Sequence, residues 1–172
     1  VVSVVNSQVA ETKNRFYYTG DGYPKKADDD TIASPLYLGV AAPTTAPTLS
    51  FNGTGDGNVV DTVSYVYTVV TAWGEESGPS GVSSVEDVEA GQYLTLSNLT
   101  VPAEVSNPTA FRIYRLSSSS SGAAEFQFRA EISIAATWDD ENAGSNGLGA
   151  VSSDVLPTED WDAPPADLQG LL

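Results

Sequence analysis

The sequence predicts an all-β chain, a sandwich of about seven strands with strand-rich segments on either side. Three observations carry that expectation. The stretch Val63-Ser64-Tyr65-Val66-Tyr67-Thr68-Val69-Val70-Thr71-Ala72-Trp73 is built of β-branched and aromatic residues with no Gly or Pro until position 74, which suits a pleated surface better than a helix. Strand-like runs recur along the rest of the chain, separated by Gly, Pro, Asn and Asp clusters that mark turns. No segment carries a helical period.

Positions 63–73 read as the central strand of the sandwich. Val63, Tyr65, Tyr67, Val69 and Trp73 fall on one face and Val66, Val70 and Ala72 on the other, so both faces are apolar enough to be covered. Upstream, Val1-Val2-Ser3-Val4-Val5 is a short β-type run with no obvious partner, and Arg15-Phe16-Tyr17-Tyr18 is stopped by the Gly and Pro of positions 19–24. Lys25-Lys26 and Asp28-Asp29-Asp30 read as a solvated loop. Leu36-Tyr37-Leu38-Gly39-Val40 is short and apolar, and 41–47 is a Pro/Thr-rich extended linker.

The compact domain is expected to begin near Pro47, with Leu49 and Phe51 on its first strand. After the central strand and the turn at 74–81 come Val82-Ser83-Ser84-Val85 and then 92–97, with Leu94 and Leu96 facing inward. Phe111-Arg112-Ile113-Tyr114-Arg115 follows. Ser117 to Ser121 form a flexible hairpin tip, and the alternation of 126–132 predicts a half-buried strand. A last strand lies around Ala136-Thr137-Trp138.

Composition removes much chemistry. The chain of 172 residues has no Cys and no His, hence no disulfides, no thiolate metal site, and neither the usual general base nor the commonest metal ligand. No apolar run approaches the roughly 20 residues of a membrane span, so solubility without membrane insertion is expected. No Met is present either, and the segment reads as an excised or processed part of a longer polypeptide. Seven Lys and Arg face 23 Asp and Glu, a net charge of −16, with no basic residue between Lys26 and Arg112 or after Arg129. A cationic groove for phosphates cannot be assembled from that distribution, which argues against direct nucleic-acid binding.

Several clusters hold candidate ligands. Asp28-Asp29-Asp30, Asp56 within Gly55-Asp56-Gly57-Asn58, and Asp139-Asp140-Glu141-Asn142 supply hard oxygen donors of the calcium-binding kind. None has the full loop spacing, and solvated loops are the simpler account. Gly53-Thr54-Gly55-Asp56-Gly57 lacks the Lys and the following helix of a phosphate loop. Nothing places two carboxylates at a glycosidase separation. Asn52-Gly53-Thr54 and Asn98-Leu99-Thr100 match the glycosylation acceptor incidentally. Tyr17, Tyr18, Tyr23, Trp73 and Trp161 are able to stack on sugars where exposed, although core or interface positions explain them more simply. No catalytic, cofactor-binding or metal-binding residue is assigned.

Tyr65 to Ser80 resembles the late strand and following turn of fibronectin type III domains, of the immunoglobulin-like sandwich class, and positions 111–115 resemble their tyrosine-bearing middle strand. The order departs from that pattern, because the late-strand-like sequence comes first. A broader likeness joins positions 15–25, 38–43, 65–80, 111–115, 126–132 and 156–168, the last reading Leu-Pro-Thr-Glu-Asp-Trp-Asp-Ala-Pro-Pro-Ala-Asp-Leu. Together these resemble the middle of tail proteins of short-tailed bacteriophages, of the nozzle or tail tubular kind. That resemblance implies a sandwich inserted in a larger β-rich body whose copies form a ring.

Three parts are therefore expected: 1–42, a β segment of the flanking body; 43–155, the fibronectin type III-like sandwich; and 156–172, an extended return to the body. Strands in the first part would pair with polypeptide elsewhere, and the two ends would leave the sandwich close together, as an inserted domain requires. The implied role is structural and non-enzymatic, in a virion tail. Partners would be other copies of the parent tail protein and neighbouring virion proteins. The alternative is a carbohydrate- or receptor-binding module, with a host-surface glycan as ligand.

Overall fold

The computed structural model describes residues 3–6, 14–117, 125–142 and 147–157. Within them the chain is all-β. Four short strands, β1 (Ser3–Asn6), β2 (Phe16–Thr19), β3 (Lys25–Ala27) and β4 (Leu36–Tyr37), pair antiparallel in chain order. Seven more follow: β5 (Thr48–Gly53), β6 (Val59–Thr71), β7 (Glu86–Glu89), β8 (Gln92–Ser97), β9 (Pro108–Ser117), β10 (Phe126–Ser133) and β11 (Thr137–Asp140). They form a four-stranded sheet, β10-β9-β6-β7, packed on a three-stranded one, β11-β8-β5.

The core lies between these two sheets because β6 alternates as its sequence requires. Val63, Tyr65, Tyr67 and Val69 face the second sheet at 1 % exposure or less and meet Phe111 and Ile113 of β9 and Leu94 and Leu96 of β8. Each such side chain contributes about 1.5–3 kcal/mol by leaving water. Tyr67 and Phe111 meet edge to face, ring centroids 5.3 Å apart. Val66 and Val70, on the opposite face, are buried as well. The strand starts four residues earlier than expected and stops at Thr71, so Ala72 and Trp73 fall in the turn. β6 lies antiparallel beside β9.

One side of β6 is completed in two ways. Residues 59–63 pair with β7. Farther along, residues 77–83 read Ser-Gly-Pro-Ser-Gly-Val-Ser, a period of three that matches polyproline II geometry rather than a strand. Every third residue is a serine turned toward β6. The Ser77, Ser80 and Ser83 amides donate to the carbonyls of Val69, Tyr67 and Tyr65, each at 2.9 Å. Their hydroxyl oxygens accept from the amides of the same three residues, at 2.9, 3.1 and 2.9 Å. The strand expected at 82–85 is thus replaced by this segment, with Val82 and Val85 more than half exposed. A β-branched pair misled the sequence reading where the serine period was the true signal.

The even alternation expected over 126–132 is also broken. A bulge between Phe128 and Ala130 shifts the register against β9, and such an extra residue re-aims its side chain. Beyond β10 lies a further extended piece. The Ser152 and Leu156 amides donate to the carbonyls of Phe128 and Phe126, and the Phe128 amide donates to the backbone carbonyl of Asp154. This strap covers an otherwise open sheet edge. It also places Leu156 beside Phe126, at the end of the sandwich where Leu116 lies, whereas β5 enters at the opposite end, where Thr48 faces Ser97. Over the described residues the two ends are therefore not close together, because the strap, paired with residues 126–128, departs at the end opposite to the one where β5 enters.

The N-terminal strands pair with one another. Ser3–Asn6 lies antiparallel to Phe16–Thr19, and the meander continues through β3 to β4. Lys25 and Lys26 are on a strand rather than in a solvated loop, and Lys26 is 2 % exposed. Val40 is fully buried in the sandwich core and Ala41 packs against it. The hairpin tip expected at 117–121 and the motif at 156–168 lie largely outside the described residues.

Candidate functional site

Ionisable side chains inside the fold gather in three places. The first is Asp140, the last residue of β11, fully buried and on the same face as Leu94 because the two are register partners. Its carboxylate accepts from the Tyr65 hydroxyl at 2.7 Å, the Arg115 guanidinium at 2.7 Å, the Arg129 Nε at 2.6 Å and the Gly149 amide at 3.1 Å. Arg129 is the bulged residue, and its guanidinium lies 5.3 Å from the centre of the Trp138 ring. A Cβ on Gly149 would occupy the space of that guanidinium, so a larger residue there would displace Arg129 from Asp140. Burial, reinforced by the neighbouring Asp140 charge, holds the Tyr65 phenol far above its ordinary pKa.

The second cluster is on the outer face of the four-stranded sheet. Glu76 accepts from the hydroxyls of Thr68 and Tyr114 and from the Arg112 guanidinium, all at 2.6 Å. Arg112 also donates through Nε to Glu131 at 2.8 Å. Burial again pushes the Tyr114 phenol up. Beside this cluster, between the sheet and the strap, lies an open cleft of about 300 Å³ lined by Arg112, Tyr114, Phe128, Glu131 and Asp154.

The third joins the N-terminal sheet to the sandwich. The Lys26 ammonium donates to both oxygens of Glu75, which also accepts from the Thr71 hydroxyl at 3.0 Å. The Trp73 ring has the Arg15 guanidinium 4.4 Å and the Lys26 ammonium 5.1 Å from its centre. Desolvation lowers the pKa of Lys26, with Glu75 acting against that shift. The Tyr37 amide adds a bond to the Ser106 hydroxyl at 3.1 Å.

The candidate ligands singled out in the sequence are mostly occupied locally. One Asp28 oxygen accepts from the amides of Asp30 and Thr31 and from the Thr31 hydroxyl, an Asx turn rather than an open ligand. Asp29 accepts from Asn14, Asp56 from Asn58, and Asp139 from Thr95. Among the described residues no three His, Cys, Asp or Glu are placed to share a metal ion. The 53–57 loop folds onto Glu89, whose carboxylate accepts from the Gly57 amide. Asn52 donates to Thr95 at 2.6 Å, and Asn98 holds a left-handed φ of 66°.

The aromatic candidates separate. Tyr17, Tyr18 and Trp73 are half-buried, Trp161 is outside the described residues, and Tyr23 is 44 % exposed. Tyr23 meets Tyr37 edge to face at 5.8 Å. The Asp140 and Glu76 centres were not singled out as such. A usable signal existed for the first, since Trp138 and Asp140 share strand parity, which turns Asp140 inward. No protein-family model, curated protein or solved structure matches the chain.

Proposed function

We propose that the chain is a non-enzymatic structural module of a bacteriophage virion tail protein, acting in tail assembly through contacts between subunits. The observation that supports this most is the join around Glu75. Lys26, Arg15 and Trp73 fix the N-terminal sheet on one end of the sandwich through a buried ion pair and a ring between two cations. A rigid pair of modules suits a part that holds position in an assembly. The interior charges serve the same end, since Asp140 and Glu76 tie strands to one another. The motifs at 15–25 and 65–80 that resemble short-tailed phage tail proteins contribute Arg15 on one side of this join and Trp73 and Glu75 on the other.

Expression of the whole open reading frame that encodes the chain tests the proposal. Rings in negative-stain electron microscopy, and labelling of tails on virions by antibodies raised against the segment, are expected. A full-length product that stays monomeric and labels no virion would overturn it. A second reading, a carbohydrate-binding module, draws on the Tyr23 and Tyr37 pair, which stands at an exposed rim beside Lys25 and Asp21, themselves paired at 2.6 Å. Glycan binding abolished by Tyr23→Ala would favour it.

A further inference from the structure

We propose that the cleft between the strap and the outer face of the four-stranded sheet receives a basic side chain, lysine or arginine, of a partner polypeptide. The inference rests on the chemistry of the cleft and is independent of the virion reading. Its volume, about 300 Å³, is at the small end of the range for ligand sites. One extended side chain fits that space better than a large ligand.

Charge selects the sign of the occupant. Among the described residues Arg112 is the only cation lining the cleft, and it is already held by two carboxylates, Glu76 at 2.6 Å and Glu131 at 2.8 Å. Asp154 adds a third carboxylate, which makes no hydrogen bond or ion pair among the described residues. Three negative groups against one positive leave the site attractive to a cation and repellent to an anion.

Ring chemistry points the same way. Phe128 and Tyr114 meet edge to face with centroids 5.9 Å apart and line the cleft beside those carboxylates. An alkylammonium or guanidinium gains from an aromatic face as well as from an acid, and its methylene stem covers apolar surface. Tyr114 is buried and its hydroxyl is engaged with Glu76, so the carbon surface open to the cleft is that of the half-buried Phe128. The strap supplies Asp154 and one wall, so the cleft exists only while residues 152–156 pair with β10.

Titration of the isotopically labelled chain with acetyl-Gly-Lys-Gly-amide, followed by amide resonances, tests the proposal. Shifts are expected at residues 112–114, 128–131 and 154–155, weakening with added salt. The norleucine analogue of the peptide should bind at least about fivefold more weakly. Asp154→Asn, which removes a charge that holds nothing in the fold, should weaken the lysine peptide by about fivefold while leaving the remaining spectrum unchanged. Equal shifts from the norleucine peptide, no shifts at these residues, or tighter binding of free spermidine than of the peptide would each overturn it.

Discussion

Ser80 and Tyr67 are bonded to each other twice: the Ser80 amide donates to the Tyr67 carbonyl at 2.9 Å, and the Ser80 hydroxyl oxygen accepts from the Tyr67 amide at 3.1 Å. A serine here does for β6 what both backbone groups of a strand partner would do. Ser80→Ala leaves the buried Tyr67 amide without an acceptor and should cost about 1–3 kcal/mol. Urea denaturation checks this, with Val82→Ser, at an exposed position in the same segment, expected to fall within about 0.5 kcal/mol of the parent.

Asp140 compensates two guanidinium groups at once. Asp140→Asn strands Arg115 and Arg129 beside a neutral amide, and a loss of about 3–5 kcal/mol is expected. Gly149→Ala should act through the same bond, because the added methyl group displaces Arg129. In an Arg129→Ala background the glycine substitution should then cost much less. Additive losses in that double-mutant cycle would show that the two sites are not coupled.

The join around Glu75 makes a separate prediction. Lys26→Met removes the partner of a buried carboxylate and one cation from the Trp73 ring. The N-terminal sheet should loosen from the sandwich before the sandwich itself melts. Hydrogen exchange reports this as faster exchange at residues 16–40 with little change in β6 and β9. A uniform rise across all strands would show that the two sheets unfold as one unit.

Alkaline pH should destabilise the fold through its tyrosines. Burial raises the pKa of Tyr65 and Tyr114 in the folded chain, whereas in the unfolded chain both ionise near their ordinary value of about 10. Below that pH neither state loses a proton; above it the unfolded state loses protons first, so stability falls as pH rises. Lys26, with its lowered folded pKa, acts in the opposite sense just below the ordinary lysine range. The midpoint of urea denaturation should therefore drop between about pH 10 and 11.5, and less steeply for Tyr114→Phe.

The β6 core was legible because burial and strand parity coincide there, and Leu94 and Leu96 face inward for the same reason. The serine period of 77–83 was equally visible in the letters. Val82 and Val85 mask it, because they carry β propensity, a preference that a partner strand must satisfy and that here none does. Lys26 misled because two adjacent lysines suggest solvent, while the carboxylate that allows burial lies 49 positions away. The parity of Trp138 and Asp140 was legible, but the bulge that aims Arg129 was not: it turns β10 over between Phe128 and Ala130, while apolar residues at 126, 128, 130 and 132 keep an unbroken alternation in the sequence.

The strap and β5 leave the sandwich at opposite ends, with consequences for how the chain bears mechanical load. A pull between residues 47 and 157 runs parallel to β5 and to the strap. Both would have to slide along their neighbours β8 and β10, breaking their backbone bonds together rather than one after another. Loaded this way the sandwich is a tether in shear, stiff along the line joining its two attachments, whereas a domain with adjacent ends would be peeled open from one corner.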